Sequence, residues 1–180
     1  MKRPFKPSPN IVLVGFMGTG KTSVGKRLAT QLRMRYVDTD DIIERDSGRR
    51  ISNIFEEDGE AAFRELESEA VLKVSKRHNS VISTGGGVVL KEANMIALKQ
   101  NGVVFCLTAT PEEIYRRVGH QTHRPLLQTP DPLAKIQSML AERRPYYEEA
   151  DYMVRTTGRS FGEIILHIKR MFVKSTRSPK

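Results

Sequence analysis

The segment Gly15-Phe16-Met17-Gly18-Thr19-Gly20-Lys21-Thr22 is a complete G-x4-G-K-[ST] pattern. A turn of this composition can aim backbone N–H groups at phosphate oxygens, and its lysine can neutralise the β- and γ-phosphates. Its hydroxyl residue can coordinate magnesium. Gly18, Thr19, Gly20, Lys21 and Thr22 are therefore candidate nucleotide-binding residues, with Lys21 catalytic and Thr22 a metal ligand. A second feature, Asp38-Thr39-Asp40-Asp41, ends a short β-type run that begins at Tyr36. Carboxylates at i and i+2 at a strand end suit phosphoryl transfer to an alcohol. One can hold a magnesium-bound water while the other orients the acceptor hydroxyl. The bland alternative is that Asp38 or Asp40 caps a helix.

The phosphate loop also serves switches and motors, so its class has to be decided. A guanine-nucleotide switch carries N-K-x-D to read the base, and the chain has no such segment. A motor ATPase shows an aspartate at the end of a central apolar strand, yet neither Val81-Ile82-Ser83-Thr84 nor Val103 to Leu107 ends in one.

Positioning these groups requires a scaffold, and short β-type runs alternate with helical periods along the chain. The runs are Ile11–Val14, Tyr36–Asp38, Val81–Ser83, Val103–Leu107 and Tyr152–Val154. That alternation predicts parallel βα units. Val24, Leu28, Ala29 and Leu32 form one helical stripe; Phe63, Leu66, Ala70 and Val74 form a second. Phe161, Ile164, Ile165, Ile168 and Phe172 form a third. Thr110 with Glu113 and Ser160 with Glu163 have capping-box spacing, and Asp131-Pro132 reads as another helix start. The polar stretch Gly119 to Pro130 fits neither period and is long for a connection in a compact domain, which suggests a lid over a site.

Composition narrows the function further. The chain has 180 residues, 38% hydrophobic and 28% charged, with a net charge of +9. This describes one folded domain rather than a disordered chain. Residues 1–10 carry +3 and residues 169–180 carry +5, which leaves only +1 for everything between. The basic ends read as solvated arms, 1–10 and 172–180, around a domain at 11–171, and no nucleic-acid partner is expected. The longest apolar run, Val103–Leu107, is far short of the about 20 residues a membrane helix needs, so no membrane partner is expected either. The lone cysteine, Cys106, precludes an internal disulfide, and the apolar stretch at Ile11 lacks a cleavage pattern, so a cytoplasmic location is expected. His120 and His123 lack further clustered ligands and read as surface residues of the lid.

From about Ile11 to Ile168 the chain resembles the shikimate kinases, small enzymes of the nucleoside-monophosphate-kinase-like class. The resemblance rests on an ordered set. It comprises Asp38-Thr39-Asp40, Ile43-Glu44, Gly48, Ile51, Ile54-Phe55, Gly59-Glu60, Phe63-Arg64, Glu67 and Gly85-Gly86-Gly87. Arg124-Pro125-Leu126-Leu127 and Arg143, Pro145 and Tyr147 complete it. The family implies an α/β fold with a five-stranded parallel sheet in the order 2-3-1-4-5, flanked by helices. Residues 40–74 would form the acceptor-binding segment and 119–130 the lid. It implies magnesium-dependent transfer of the ATP γ-phosphoryl to the 3-hydroxyl of shikimate, a step toward chorismate and the aromatic amino acids, by a monomer.

By the same resemblance Asp38 reaches magnesium through water, and Asp40 binds the ring hydroxyls and serves as candidate general base. Arg64 and Arg143 grip the acceptor carboxylate, and Gly85, Gly86 and Gly87 line the acceptor. Arg117 lies beside the adenine, and Arg124 swings onto the ATP phosphates as a further catalytic residue. Three alternatives stay open at this stage. Arg64 could form a helix-surface ion pair with Glu60, Arg143 has a rival in adjacent Arg144, and Asp41 directly follows Asp40. A sugar-acid kinase acting on gluconate is the nearest rival function, and a nucleotide-binding module without an acceptor is a more distant one.

Overall fold

The computed structural model describes residues 8–119 and 129–177. Five parallel strands form one sheet in the order β2-β3-β1-β4-β5: β1 (Asn10–Val14), β2 (Arg35–Asp38), β3 (Ser80–Ser83), β4 (Gly102–Thr108) and β5 (Tyr152–Arg155). Each expected run is a strand, extended by one residue at one end in four cases and at both ends in β4. The central strand β1 pairs on both sides, with Val12 opposite Ile82 and Val104. All five of its residues are buried, which is why Ile11–Val14 reads as a continuous apolar run without alternation.

The pleat splits that strand between two cores. Ile11 and Leu13 pack with Val24 and Leu28 of α1 (Lys21–Leu32) and with Ile164, Ile165 and Ile168 of α8 (Phe161–Arg177). Val12 and Val14 face the larger cluster on the other side. That cluster is built from α2 (Thr39–Ser47), α3 (Ile51–Glu57), α4 (Gly59–Ser75), α5 (Glu92–Gln100), α6 (Pro111–Val118) and α7 (Pro132–Tyr147). Each fully buried Ile or Leu contributes about 1.5–3 kcal/mol, so this packing holds the strand ends, and the loops that leave them, in fixed positions. The loop after β1 leaves the carboxyl edge of the sheet where neighbouring connections diverge, the usual binding crevice of open α/β sheets.

Several local expectations change. Thr110 caps α6 by accepting from the Glu113 amide at 3.3 Å, but the Glu113 carboxylate turns to Arg116 and Arg117 instead of closing the box. Charge-assisted bonds to two guanidiniums outcompete a neutral amide, and the Thr110 amide donates to Thr157 Oγ1. Ser160 and Glu163 close both halves of their box, at 3.3 and 2.8 Å. Asp131 caps α7 through the Ala134 amide. Phe161 is exposed and lies against the Arg27 guanidinium, outside the core stripe assigned to it. Helix α8 continues to Arg177, so residues 172–177 of the expected basic tail are helical. Among the described residues no helix is long and apolar enough to cross a membrane.

Candidate active site

The phosphate loop is held open by its glycines. Gly15 has φ 133°, and a Cβ there would strike the Leu107 carbonyl of β4. Gly18 and Gly20 also have positive φ, and Gly20 caps α1, leaving the first amides of that helix for a ligand. The buried Thr19 hydroxyl donates to the Phe16 carbonyl at 2.7 Å and locks the turn from inside. Lys21 is 9% exposed and its ammonium donates to the Gly15 and Phe16 carbonyls at 2.7 and 3.0 Å. The charge is therefore stored at the loop centre. Arg117 leans in from α6: its guanidinium donates to the Gly18 carbonyl at 3.0 Å and to Glu113 at 2.8 Å. Hydrogen bonding from Arg116 holds the Glu113 carboxyl down at about 2, so this tether stays charged.

At the end of β2, Asp38 does cap a helix, accepting from the Asp40 amide at 3.1 Å on Oδ1. Its other oxygen accepts from the Tyr36 hydroxyl at 2.8 Å. Burial, then Asp38, raises the Tyr36 phenol well above its ordinary value, so it stays a donor. The hydroxyls of Thr22 and Ser83 stand beside the same phenol, which brings the two metal candidates Thr22 and Asp38 to one place. Thr22 and Asp38 offer hard oxygen donors, and no cluster of three or more His, Cys, Asp or Glu able to hold a metal occurs among the described residues. Such a donor set fits magnesium, which keeps several waters and takes phosphate oxygens as further ligands.

The triple glycine after β3 is the hub that joins the loop to the acceptor segment. The Gly85 amide donates to the buried Thr39 hydroxyl at 3.2 Å. A Cβ on Gly85 would lie 2.6 Å from Glu67 Oε1 and 3.3 Å from Asp40 Oδ1. One on Gly86 would lie 3.3 Å from the Met17 amide, and one on Gly87 would fall on the Arg64 guanidinium. Three side chains could not share this space, so glycine is needed for close approach on every side. Asp40 faces this hub, whereas Asp41 is exposed.

Two arginines flank the hub in different ways. Arg64 pairs with Glu60 at 2.8 Å, as the helix spacing allowed, and also with Glu67 at 2.8 Å. Arg143 is 8% exposed and lies over the Phe16 ring at 5.8 Å, with no carboxylate at ion-pair distance among the described residues. Arg144 points outward and pairs with Glu148. Four residues after Arg143, Tyr147 donates to the Gly86 carbonyl at 2.7 Å; burial lifts its phenol to about 12.

The structure thus gathers Asp38, Asp40, Arg64, Gly85, Gly86, Gly87 and Arg143 around the loop, with Arg117 on the nucleotide side. Arg124, together with His120 and His123, lies outside the described residues. Sequence reasoning assigned no role to Glu67, Tyr36 or Tyr147. Glu67 is 1% exposed, its Oε1 has no hydrogen-bond partner among the described residues, and burial raises its carboxyl against the pull of Arg64. Its helix spacing to Arg64 was visible; its burial was not. Arg64, Glu67 and Gly87 also wall a cavity of about 430 Å³ that extends to Lys91 and Asn94.

Comparison with known proteins agrees with this geometry. The family model for shikimate kinase matches residues 17–172. The shikimate kinase of Caldanaerobacter subterraneus subsp. tengcongensis is 46% identical over 92% of this chain and 96% of its own length. That of Thermodesulfovibrio yellowstonii is 47% identical over 86% of this chain and 90% of its own. The solved structure of shikimate kinase from Acinetobacter baumannii in complex with shikimate superposes with a TM-score of 0.89 at 37% identity, covering 95% of this chain and 96% of that one. A gluconokinase from Sinorhizobium meliloti reaches only 0.54 at 18% identity, a likeness of fold alone. With the loop, the acidic strand end and the triple-glycine hub in one crevice, and with matches that span nearly the full chain, this protein belongs to the shikimate kinase family.

Proposed function

We propose that this chain transfers the γ-phosphoryl group of ATP to the 3-hydroxyl of shikimate, in the synthesis of chorismate and the aromatic amino acids. The observation that carries the reading is the buried Arg143 guanidinium, unpaired with any described carboxylate and set beside the glycine hub that also touches the phosphate loop. A desolvated guanidinium calls for an anion, and its planar fork suits a carboxylate. Arg64, already oriented by Glu60 and Glu67, supplies a second donor set.

In this reading the acceptor lies on Gly85–Gly87 with its carboxylate toward Arg64 and Arg143 and its ring hydroxyls toward Asp40. Asp40 orients the attacking oxygen and takes its proton as the new O–P bond forms and the bond to the β–γ bridging oxygen breaks, releasing ADP. A carboxylate suffices because phosphoryl transfer depends mainly on positioning and charge stabilisation. Lys21 leaves the loop carbonyls for the transferring phosphoryl, while Arg117 borders the adenine. By the family resemblance Arg124 would add positive charge at the transferring phosphoryl. Thr22, and Asp38 through water, would hold magnesium, which neutralises charge on the β- and γ-phosphates when bound. A monomer in the cytoplasm is sufficient for this chemistry.

The test is ADP release with Mg-ATP and shikimate, gluconate, quinate or no acceptor. Release that requires shikimate and collapses in Asp40→Ala and Arg143→Ala is expected. Equal release without acceptor, or release with gluconate alone, would overturn the reading.

A further inference from the structure

Tyr36 has a hydroxyl that the fold places among the polar groups of the site rather than in the core. Its ring lies on α1 at Gly25, where a Cβ would come within 2.8 Å of Cε2, and the Lys26 ammonium sits 5.7 Å from the ring centre. Glycine at that position leaves room for the ring against the helix, and a larger residue would displace it. At the carboxyl end of β2 the phenol donates to Asp38 Oδ2 at 2.8 Å, close enough to the hydroxyls of Thr22 and Ser83 to interact with them. Ser83 is the residue paired with Asp38 in the sheet register. The other Asp38 oxygen accepts from the Asp40 amide. Both carboxylate oxygens are therefore held, one by the main chain of α2 and one by a side chain from the same strand.

We propose that Tyr36 is a positioning residue: its hydroxyl fixes the rotation of the Asp38 carboxylate so that it and the Thr22 hydroxyl present one oxygen-lined seat to the nucleotide-bound divalent cation. The inference rests on the metal assignment of Thr22 and Asp38 made above. The Asp40 amide alone leaves the carboxylate free to swing about its terminal torsion, since it restrains a single oxygen. The phenol removes that freedom, in the manner of outer partners that orient metal-binding carboxylates elsewhere. Asp38 and Asp40 are joined through that amide. A carboxylate held by Tyr36 therefore also steadies the start of α2, from which Asp40 meets the acceptor.

Tyr36→Phe removes the hydroxyl and keeps the ring. Two readouts are taken on the full chain: the magnesium concentration giving half-maximal shikimate-dependent ADP release at fixed ATP, and Mn2+ affinity of the ADP complex by electron paramagnetic resonance. The expected result is a rise of roughly tenfold in the magnesium requirement, a matching loss of Mn2+ affinity, and a smaller change in KM for shikimate. Tyr152→Phe, which loses a hydroxyl bonded to Ser175 at the far edge of the sheet, is the control and should change neither. If Tyr36→Phe folds poorly, Gly25→Ala displaces the ring from the same seat and should shift both readouts the same way.

Unchanged magnesium and manganese dependence in Tyr36→Phe, with Asp38→Asn weakening both, would overturn the role of Tyr36 and leave the metal assignment standing. Unchanged dependence in Asp38→Asn as well would overturn both. A rise in shikimate KM equal to the rise in magnesium requirement would mark Tyr36 as merely structural.

Discussion

The nucleotide half and the acceptor half of this site are built from different materials. In the first, contiguous main chain does the recognising. Gly15, Gly18 and Gly20 set the amides of one turn, and Lys21 and Thr22 add two side chains to them. In the second, recognition falls to side chains from α2, α4 and α7 that meet only after folding, and each is held by another. Glu60 and Glu67 hold Arg64, Asp38 caps the turn carrying Asp40, and Tyr147 ties the helix of Arg143 to Gly86. A phosphate tail is common to many ligands and can be met by a local turn, whereas a ring bearing a carboxylate and hydroxyls must be met from several directions at once. Close main-chain approach at Gly85–Gly87 joins the two halves.

This contrast can be broken at either end. The largest effect is expected from Lys21→Ala, which should lower kcat by about 1,000-fold or more and leave shikimate affinity, measured by calorimetry, nearly intact. Arg143→Met should fall mainly on KM for shikimate, raising it by about 100-fold with a smaller change in kcat. Gly87→Ala should raise the same KM by about tenfold, because the new methyl displaces the Arg64 guanidinium without touching the phosphate loop. Removing the exposed partner, Glu60→Ala, should change it by no more than about twofold, since Glu67 continues to hold Arg64.

The smallest effect concerns pH. Burial raises the Glu67 carboxyl above its ordinary value, so the folded chain holds its proton more tightly than the unfolded chain does. Its favourable contribution is complete below the unfolded value near 4.5 and is lost as pH rises through the raised folded value. Relative to Glu67→Gln, the unliganded wild type should therefore lose stability as pH climbs above about 4.5, as read by thermal melting. A parallel pair of curves would show that Glu67 does not titrate in this window.

The same contrast explains what was legible in the sequence. The phosphate loop is contiguous, so its eight residues and the strand and helix around it could be read directly, and the strand order followed from the resemblance. The acidic pair Asp38/Asp40 was visible from its spacing at a strand end, but its division of roles, and Arg64 and Arg143, were found only because the ordered motifs resemble a family; spacing alone left Glu60–Arg64 as an ordinary surface pair, and that pair exists. Glu67 shows the limit most clearly. Its position three residues after Arg64 permits an ion pair but cannot show that the carboxylate is almost fully buried against Gly85. Tyr36 read as a strand residue, since the direction of its hydroxyl depends on Gly25 of a different element. The capping box at Thr110 failed for a related reason, because Arg116 and Arg117 compete for Glu113 in three dimensions.

The most direct test of a side-chain-built acceptor half is a cycle between protein and ligand. Shikimate and its methyl ester, whose carboxyl is neutral, are compared as acceptors in wild type and in Arg143→Met, with kcat/KM measured for all four pairs. If Arg143 reads the carboxylate, esterification should cost the wild type about 100-fold and Arg143→Met far less, giving strong coupling between the two changes. Equal losses in both proteins would contradict the account and place the carboxylate elsewhere in the crevice.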